Sequence, residues 1–328
     1  MNRTVYIDNR YTGDHGIARY AREVVRGLNL AWTPLPGKYR PGSLIDAVDR
    51  HRMFLPSDAL LYNPGYTAGP SRACQLLTLH DLTHLRTSGT RRLVQRVYYD
   101  RVVKPAIERC GHVVTVSETS ATDLRNWLGE QVEVHNAGNG CSDVFAFDHG
   151  GAVFERPYFL FVGNFKAHKN PAPLFRAMQS FPDHQLIVVS SDHTSAMRLA
   201  TACKIEDRIQ VRAGIDDIAL ARLYRGAEAL VFPSLWEGFG LPVVEALKSG
   251  TKVVYAAGAT SVAEICDGTQ YPVEDATSPE HLVAAMKTAL HGTFEPPTNL
   301  ADYSWTSVST KVEAVVNLLS SAPSRRKV

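Results

Sequence analysis

The sequence predicts an α/β protein made of two doubly wound domains with parallel sheets. Three observations predict it. Short apolar runs alternate with helical patterns through the first half of the chain, and the same rhythm returns more regularly in the second half. Short strands alternating with helices build parallel sheets covered on both faces. The length of 328 residues favours two domains of ordinary size over one very large core.

In the N-terminal half the apolar runs Thr4–Asp8, Ala59–Tyr62, Gln75–His80, His112–Ser117 and Val132–His135 read as strands. Gly16–Leu28, Arg91–Arg109 and Ser117–Leu128 read as helices. In the C-terminal half the strands are Tyr158–Gly163, Gln185–Ser190, Ile209–Arg212, Ala229–Pro233 and Lys252–Ala256. Each is followed by a helix: Asn170–Phe181, Thr194–Cys203, Ile218–Gly226, Pro242–Ser249 and Val262–Cys266. The stretch Phe147–Pro157, with Gly150, Gly151 and Pro157, is the linker, which sets the domains at 1–150 and 151–303. The tail Ser324-Arg-Arg-Lys-Val328 is expected to be disordered.

Composition excludes several classes. Lys+Arg 35 against Asp+Glu 33 is nearly balanced, so global charge gives nucleic-acid binding no support. The five cysteines are scattered, and no pair has metal-ligand spacing. They are expected to be reduced thiols in a cytoplasmic protein. The N-terminus lacks the apolar core of a signal peptide, and no apolar run approaches the roughly 18 residues of a membrane span.

Ligands of doubly wound sheets bind beyond the carboxyl ends of the strands. One such loop is Leu235-Trp-Glu-Gly-Phe-Gly-Leu-Pro-Val-Val-Glu-Ala246. Gly238 and Gly240 permit a tight turn and close approach of a ligand. Pro242 suits the first position of a helix, whose N–H groups can hold a phosphate. Glu237 and Glu245 would repel a phosphate on contact, so they are better placed beside it, accepting hydrogen bonds from hydroxyls. A sugar attached to a nucleotide offers hydroxyls on both sides of its phosphates. A capping glutamate and a solvated loop explain the stretch equally well when it is taken alone. A second loop, Phe161-Val-Gly-Asn-Phe-Lys-Ala-His-Lys-Asn170, gathers Lys166, His168 and Lys169, cations fit to stabilise a departing diphosphate or simply to be solvated. The loop Thr12-Gly-Asp-His-Gly-Ile-Ala-Arg-Tyr20 is a glycine turn without a full dinucleotide fingerprint. His80, in Leu79-His-Asp-Leu82, follows an apolar run, where a histidine either reaches a ligand or is structural.

Together these residues resemble the retaining glycosyltransferases of family 4, the group 1 glycosyltransferases. The resemblance rests on Glu237-Gly-Phe-Gly-Leu-Pro-Val-Val-Glu-Ala246, Val162-Gly163 with His168-Lys169-Asn170, Gly16-Ile-Ala-Arg-Tyr20, His80-Asp81-Leu82, Val114-Thr-Val-Ser117, Asn139-Gly140 before Phe145, and Ser304-Trp305 before an amphipathic helix. It runs in the family's order over nearly the whole chain. It implies the GT-B fold, two facing Rossmann-like domains, with a C-terminal helix over 304–321 that crosses back to the N-terminal domain. It also implies roles. Glu237 would contact donor-sugar hydroxyls near the reacting carbon, and Lys169 would bind the diphosphate. Phe239, Gly240 and Leu241 would hold sugar and phosphate through backbone N–H groups, and Glu245 would bind the ribose. Gly16 would face the phosphates, His80 would lie by the donor sugar, and Gly214 and Ile215 would line the base. Asn164 stands where many members carry arginine, and Lys166 is the nearby cation that replaces it in a subset with a similar Gly-Asn-x-Lys-x-His-Lys pattern.

The expected reaction is transfer of a hexose, mannose-like by preference, from a nucleotide sugar to a saccharide or lipid-linked saccharide in surface-polysaccharide assembly. A GDP-hexose is the favoured donor, with UDP- and dTDP-sugars as the other options. Configuration at the anomeric carbon is expected to be retained, and neither metal nor cofactor is expected. The rival readings are a nucleotide-sugar epimerase, a phosphorylase and a non-catalytic scaffold subunit. Arg91–Arg109 bears six basic and two acidic residues with Leu93, Val97, Val102 and Ala106 at helical spacing. Such a helix either lies on the anionic cytoplasmic face of the inner membrane or packs on the sheet with a solvated basic face.

Overall fold

The computed structural model describes residues 3–13, 16–37, 39, 41, 43, 46, 50–82, 90–146, 148 and 150–321. The tail Ser324–Val328, loop residues Asp14 and His15, and linker residues Phe147 and His149 lie outside the described residues. The chain divides into two compact units, one of residues 1–140 with 303–328, the other Cys141–Asp302.

The N-terminal unit holds a four-stranded sheet of order β2-β1-β3-β4, with β1 Val5–Ile7, β2 Thr33–Pro34, β3 Leu60–Asn63 and β4 Cys74–Leu77. A separate parallel pair, β5 His112–Thr115 and β6 Glu133–Asn136, joins it through an isolated bridge from Thr78 to Val114. Helix α1 (Gly16–Gly27) buries Ala18, Tyr20, Ala21 and Val24. The expected single helix over Arg91–Arg109 is three pieces: α2 (Thr90–Tyr98), a π turn (Tyr99–Val103) and α3 (Lys104–Cys110). Pro105 is the cause: it has no N–H to give, and its ring crowds the carbonyl four residues back. The ladder loosens there, and the Lys104 N–H reaches to the Tyr99 carbonyl five residues away. After α4 (Glu118–Leu128), capped by Ser117, β6 completes the pair. The strand expected to run to His80 stops at Leu77, so His80 lies in the loop beyond.

The C-terminal unit is one six-stranded parallel sheet of order β12-β11-β10-β7-β8-β9. Its strands are β7 Tyr158–Val162, β8 Gln185–Val189, β9 Ile209–Arg212, β10 Ala229–Phe232, β11 Val253–Ala256 and β12 Tyr271–Val273. β7, β10 and β11 are apolar and almost wholly buried, as strands covered on both faces must be. The helices are α5 (Pro171–Ala177), α6 (His193–Cys203), α7 (Asp217–Gly226), α8 (Leu241–Lys248), α9 (Thr260–Cys266) and α10 (Pro279–His291). The helix expected from Asn170 begins one residue later and tightens into a 3-10 turn at Met178–Ser180. Residues 150–157 lie along α7, where the Ala152 N–H donates to the Arg222 carbonyl at 2.7 Å. Strand order reverses between β7 and β10, so the loops leaving these two neighbours open the crevice where such sheets hold ligands.

The last helix, α11 (Trp305–Ser321), packs in the N-terminal unit against α1. A side chain at Gly27 would collide with Ser309, and Glu313 accepts the Asn29 N–H at 2.6 Å.

Candidate functional site

Two loops at the reversal of the sheet build the site. The first leaves β7. Asn164 turns its side-chain oxygen onto the Lys166 N–H at 3.2 Å, which closes the turn and leaves Lys166 exposed. A 3-10 turn over Ala167–Lys169 follows. Asn170 then takes the left-handed conformation, φ 49 and ψ 46, which asparagine tolerates better than most residues. Its Nδ2 donates to the carbonyls of Pro233 at 3.2 Å and Ala276 at 2.8 Å. One amide thus ties together the loops after β7, β10 and β12. Pro171 starts α5, where a missing N–H costs nothing.

The second loop leaves β10. The Leu235 N–H donates to the His168 carbonyl at 2.8 Å, and the Trp236 indole stacks on the His168 ring at 5.8 Å. These contacts bring Lys169 and Glu237 together, Nζ to Oε1 at 2.5 Å, with Lys169 also 5.4 Å above the Phe232 ring. Both side chains are mostly buried, at 16% and 13% exposure. Ser261 of α9 donates its hydroxyl to the Glu237 carbonyl at 2.9 Å and fixes the loop from below.

Gly240 ends this loop at φ 123 and ψ 53, a conformation open to glycine. A Cβ there would meet Val262 Cγ2 at 3.1 Å. α8 starts at Leu241 with no side-chain cap, Pro242 in its first turn and Phe239 buried just before it. Glu245 lies one turn further on and is buried at 6% exposure. Its Oε2 accepts the hydroxyl of Tyr224, a fully buried residue of α7, at 3.0 Å. Burial, and then the Glu245 charge, push the Tyr224 pKa well above its ordinary value, so Tyr224 stays a donor.

Gly214, at φ 65, and Ile215 follow β9 on the same side of the sheet, two strands from β7. Lys169, Glu237, Phe239, Gly240 and Leu241 are therefore gathered, Glu245 stands behind them, and Asn164 and Lys166 flank them. Gly16 and His80 belong to the N-terminal unit. Gly16 opens α1 and is exposed. His80 places Nε2 3.2 Å from the Pro64 carbonyl, and its ring meets Tyr20 edge-on at 4.7 Å. Asn170, Tyr224, Trp236 and Ser261 are contributors that the sequence reasoning did not single out. The Asn170-Pro171 pair was a visible turn signal; the other three carry none.

The carboxyl ends of β1 and β3 hold a second polar cluster. Asp8 accepts two bonds from Arg10 at 2.7 Å, and fully buried Arg52 lies between Asp8 and Asp46. Tyr11 donates to Asn63 at 2.9 Å. Buried charges persist only when paired in this way, and the cluster braces the start of the glycine loop at Thr12.

Residues 147–304, which include all of the gathered loops, match the family model of the group 1 glycosyl transferases. Residues 147–304 form a group 1 glycosyl transferase domain. Among curated relatives, the O-antigen chain mannosyltransferase RfbU of Salmonella typhimurium is 30% identical over 187 residues, 55% of this chain and 51% of the relative. The MMP alpha-(1->4)-mannosyltransferase of Mycolicibacterium hassiacum is 31% identical over 168 residues, 49% of this chain and 41% of the relative. The chain thus spans about half the length of these relatives or less. Sucrose-phosphate synthase from Thermosynechococcus elongatus superimposes with a TM-score of 0.65 at 19% identity, over 98% of this chain and 95% of that one. The lipopolysaccharide outer core galactosyltransferase WaaB gives 0.67 at 12% identity, over 96% and 99%. At such identities the likeness shows the fold alone, and that fold is GT-B.

Proposed function

We propose that this group 1 glycosyl transferase moves a hexose from a nucleotide sugar to a saccharide or lipid-linked acceptor, with retention at the anomeric carbon. The Lys169–Glu237 pair at the reversal of the sheet carries this reading. In the protein alone each side chain is the other's counter-ion. A donor diphosphate would replace the Glu237 carboxylate as the partner of Lys169, and Glu237 would turn to the sugar hydroxyls. The start of α8, uncapped by any side chain, adds backbone donors and the helix dipole to the same phosphate. The bond from C1 to the phosphate oxygen breaks as the acceptor oxygen joins C1 on the same face. The departing phosphate oxygen takes the acceptor's proton. Charge grows on that phosphate, where Lys169 and Lys166 stabilise it without a metal. Glu245, held by Tyr224, suits the ribose, and the loop at Gly214 and Ile215 suits the base.

GDP-mannose is the favoured donor. The likeness to two mannosyltransferases supports the sugar, and RfbU, an O-antigen enzyme by name, supports surface polysaccharide as the product. A peripheral membrane contact fits a lipid-linked acceptor. α2 exposes Leu93, Val94 and Val97 beside Arg96, and no helix among the described residues is long and apolar enough to cross a membrane.

The test is incubation of the protein with GDP-mannose, with anomeric-carbon-labelled sugar and a membrane extract as acceptor source, followed by NMR of the product. An α-linked mannose supports the reading. A β-linked product, or free 2-epimer without any acceptor product, contradicts it.

A further inference from the structure

β5 and β6 carry three side chains that the transfer reaction does not use. His112 opens β5 and Glu133 opens β6, and the two are register partners. His135 lies two residues after Glu133, so it points to the same face. The imidazoles lie nearly in one plane and meet head to head, with centroids 5.3 Å apart and planes 15° apart. His112 Nδ1 stands 3.0 Å from His135 Nε2 and 3.5 Å from Glu133 Oε2. One ligand atom from each of the three residues lies within 4.8 Å of the other two.

Two ring nitrogens at this distance share one proton; they cannot both carry one. At least one lone pair therefore faces inward, next to a carboxylate. A cation about 2.0–2.2 Å from nitrogen and oxygen donors takes the place of the shared proton once both rings turn off the line between their nitrogens. Glu133 is exposed and can swing to close the remaining gap. Two imidazoles and one carboxylate suit zinc among the common divalent ions.

We infer that His112, Glu133 and His135 bind one zinc-class divalent cation, with a coordination position left open, and that the ion fastens β6 to β5. The site lies toward the amino ends of these strands, opposite the carboxyl ends where doubly wound sheets bind their substrates. Among the described residues β6 pairs with β5 only, so a clamp there holds an edge strand.

Untagged, reduced protein titrated with zinc chloride against a chromophoric chelator tests this. Wild type is expected to hold one equivalent and to gain in thermal midpoint by mass action. His112→Ala and His135→Ala are expected to lose that equivalent and the gain. Glu133→Gln, at an exposed position that leaves the fold intact, is expected to shift the competition curve to weaker binding. Cobalt(II) should give visible absorption bands in wild type that His135→Ala lacks. No zinc retained by wild type overturns the inference. So does an equal number of equivalents in all variants, which would place the ion on the five thiols.

Discussion

Lys169 and Glu237 are 68 residues apart in sequence and 2.5 Å apart in space. They meet because β7 and β10 are neighbours at the reversal of strand order, and because Asn170 and Leu235 lock the two loops to each other. An ion pair in this position is poised to exchange one member for a diphosphate. Replacing Lys169 by Ala or Glu237 by Gln should cut transfer by about 10²–10³, the typical loss when one charge-stabilising group goes. Circular dichroism should show both variants folded. Transfer within about tenfold of wild type in Glu237→Gln would exclude its role at the sugar.

Tyr224→Phe removes a hydroxyl donor from the buried Glu245 carboxylate. A stability loss of about 1–3 kcal/mol is expected in urea unfolding. If Glu245 serves the ribose, far from the bond that breaks, the variant should raise the donor KM more than it lowers kcat. A fall in kcat alone would place Glu245 at the chemistry instead.

Burial raises the pKa values of Tyr11, Tyr20, Tyr62, Tyr99 and Tyr224. In the unfolded chain these phenols ionise near pH 10. Above that pH the unfolded state holds fewer protons than the folded one, so stability falls as pH rises. Below it both states are protonated and the tyrosines contribute no pH dependence. Each such tyrosine adds about 1.4 kcal/mol of loss per pH unit above 10. Denaturant midpoints measured from pH 8 to 11 should be flat at first and then drop steeply. A flat profile through pH 11 would show that these rings are open to water.

α2 should bind vesicles. Leu93, Val94 and Val97 are 67%, 59% and 55% exposed. The double variant Leu93→Glu, Val97→Glu should abolish cosedimentation with vesicles rich in phosphatidylglycerol and change stability by no more than about 0.5 kcal/mol. Retained binding would assign the contact to another surface.

Most of this fold is visible in the sequence, because parallel strands buried on both faces are short apolar runs with little ambiguity. β7, β8 and β10 begin where expected and end within a residue. What escapes has a physical reason. β2 is two residues long and includes Pro34, and β12 is an edge strand with Pro272 at its centre. α10 is not among the expected elements, although Ser278 as cap, Pro279 at its start and buried Leu282, Met286 and Ala289 mark it. The π turn before Pro105 follows from one residue in an otherwise regular pattern. In the site, charged residues on glycine loops stand out in sequence. Their supports do not: Tyr224 and Ser261 are ordinary helix residues until folding sets them against Glu245 and the Glu237 carbonyl. The His112–Glu133–His135 cluster is likewise hidden, since it depends on the register of two strands.

The most direct test of the donor site is thermal unfolding of wild type and Lys169→Ala against GDP-, UDP-, dTDP- and ADP-sugars, each with and without magnesium. Wild type should be stabilised by one nucleotide family, by about 2.7 kcal/mol at a hundred times the dissociation constant, equally with and without magnesium, and Lys169→Ala should lose the effect. No stabilisation by any of the four, or an equal stabilisation of Lys169→Ala, would contradict the assignment of Lys169 and Glu237 to the donor.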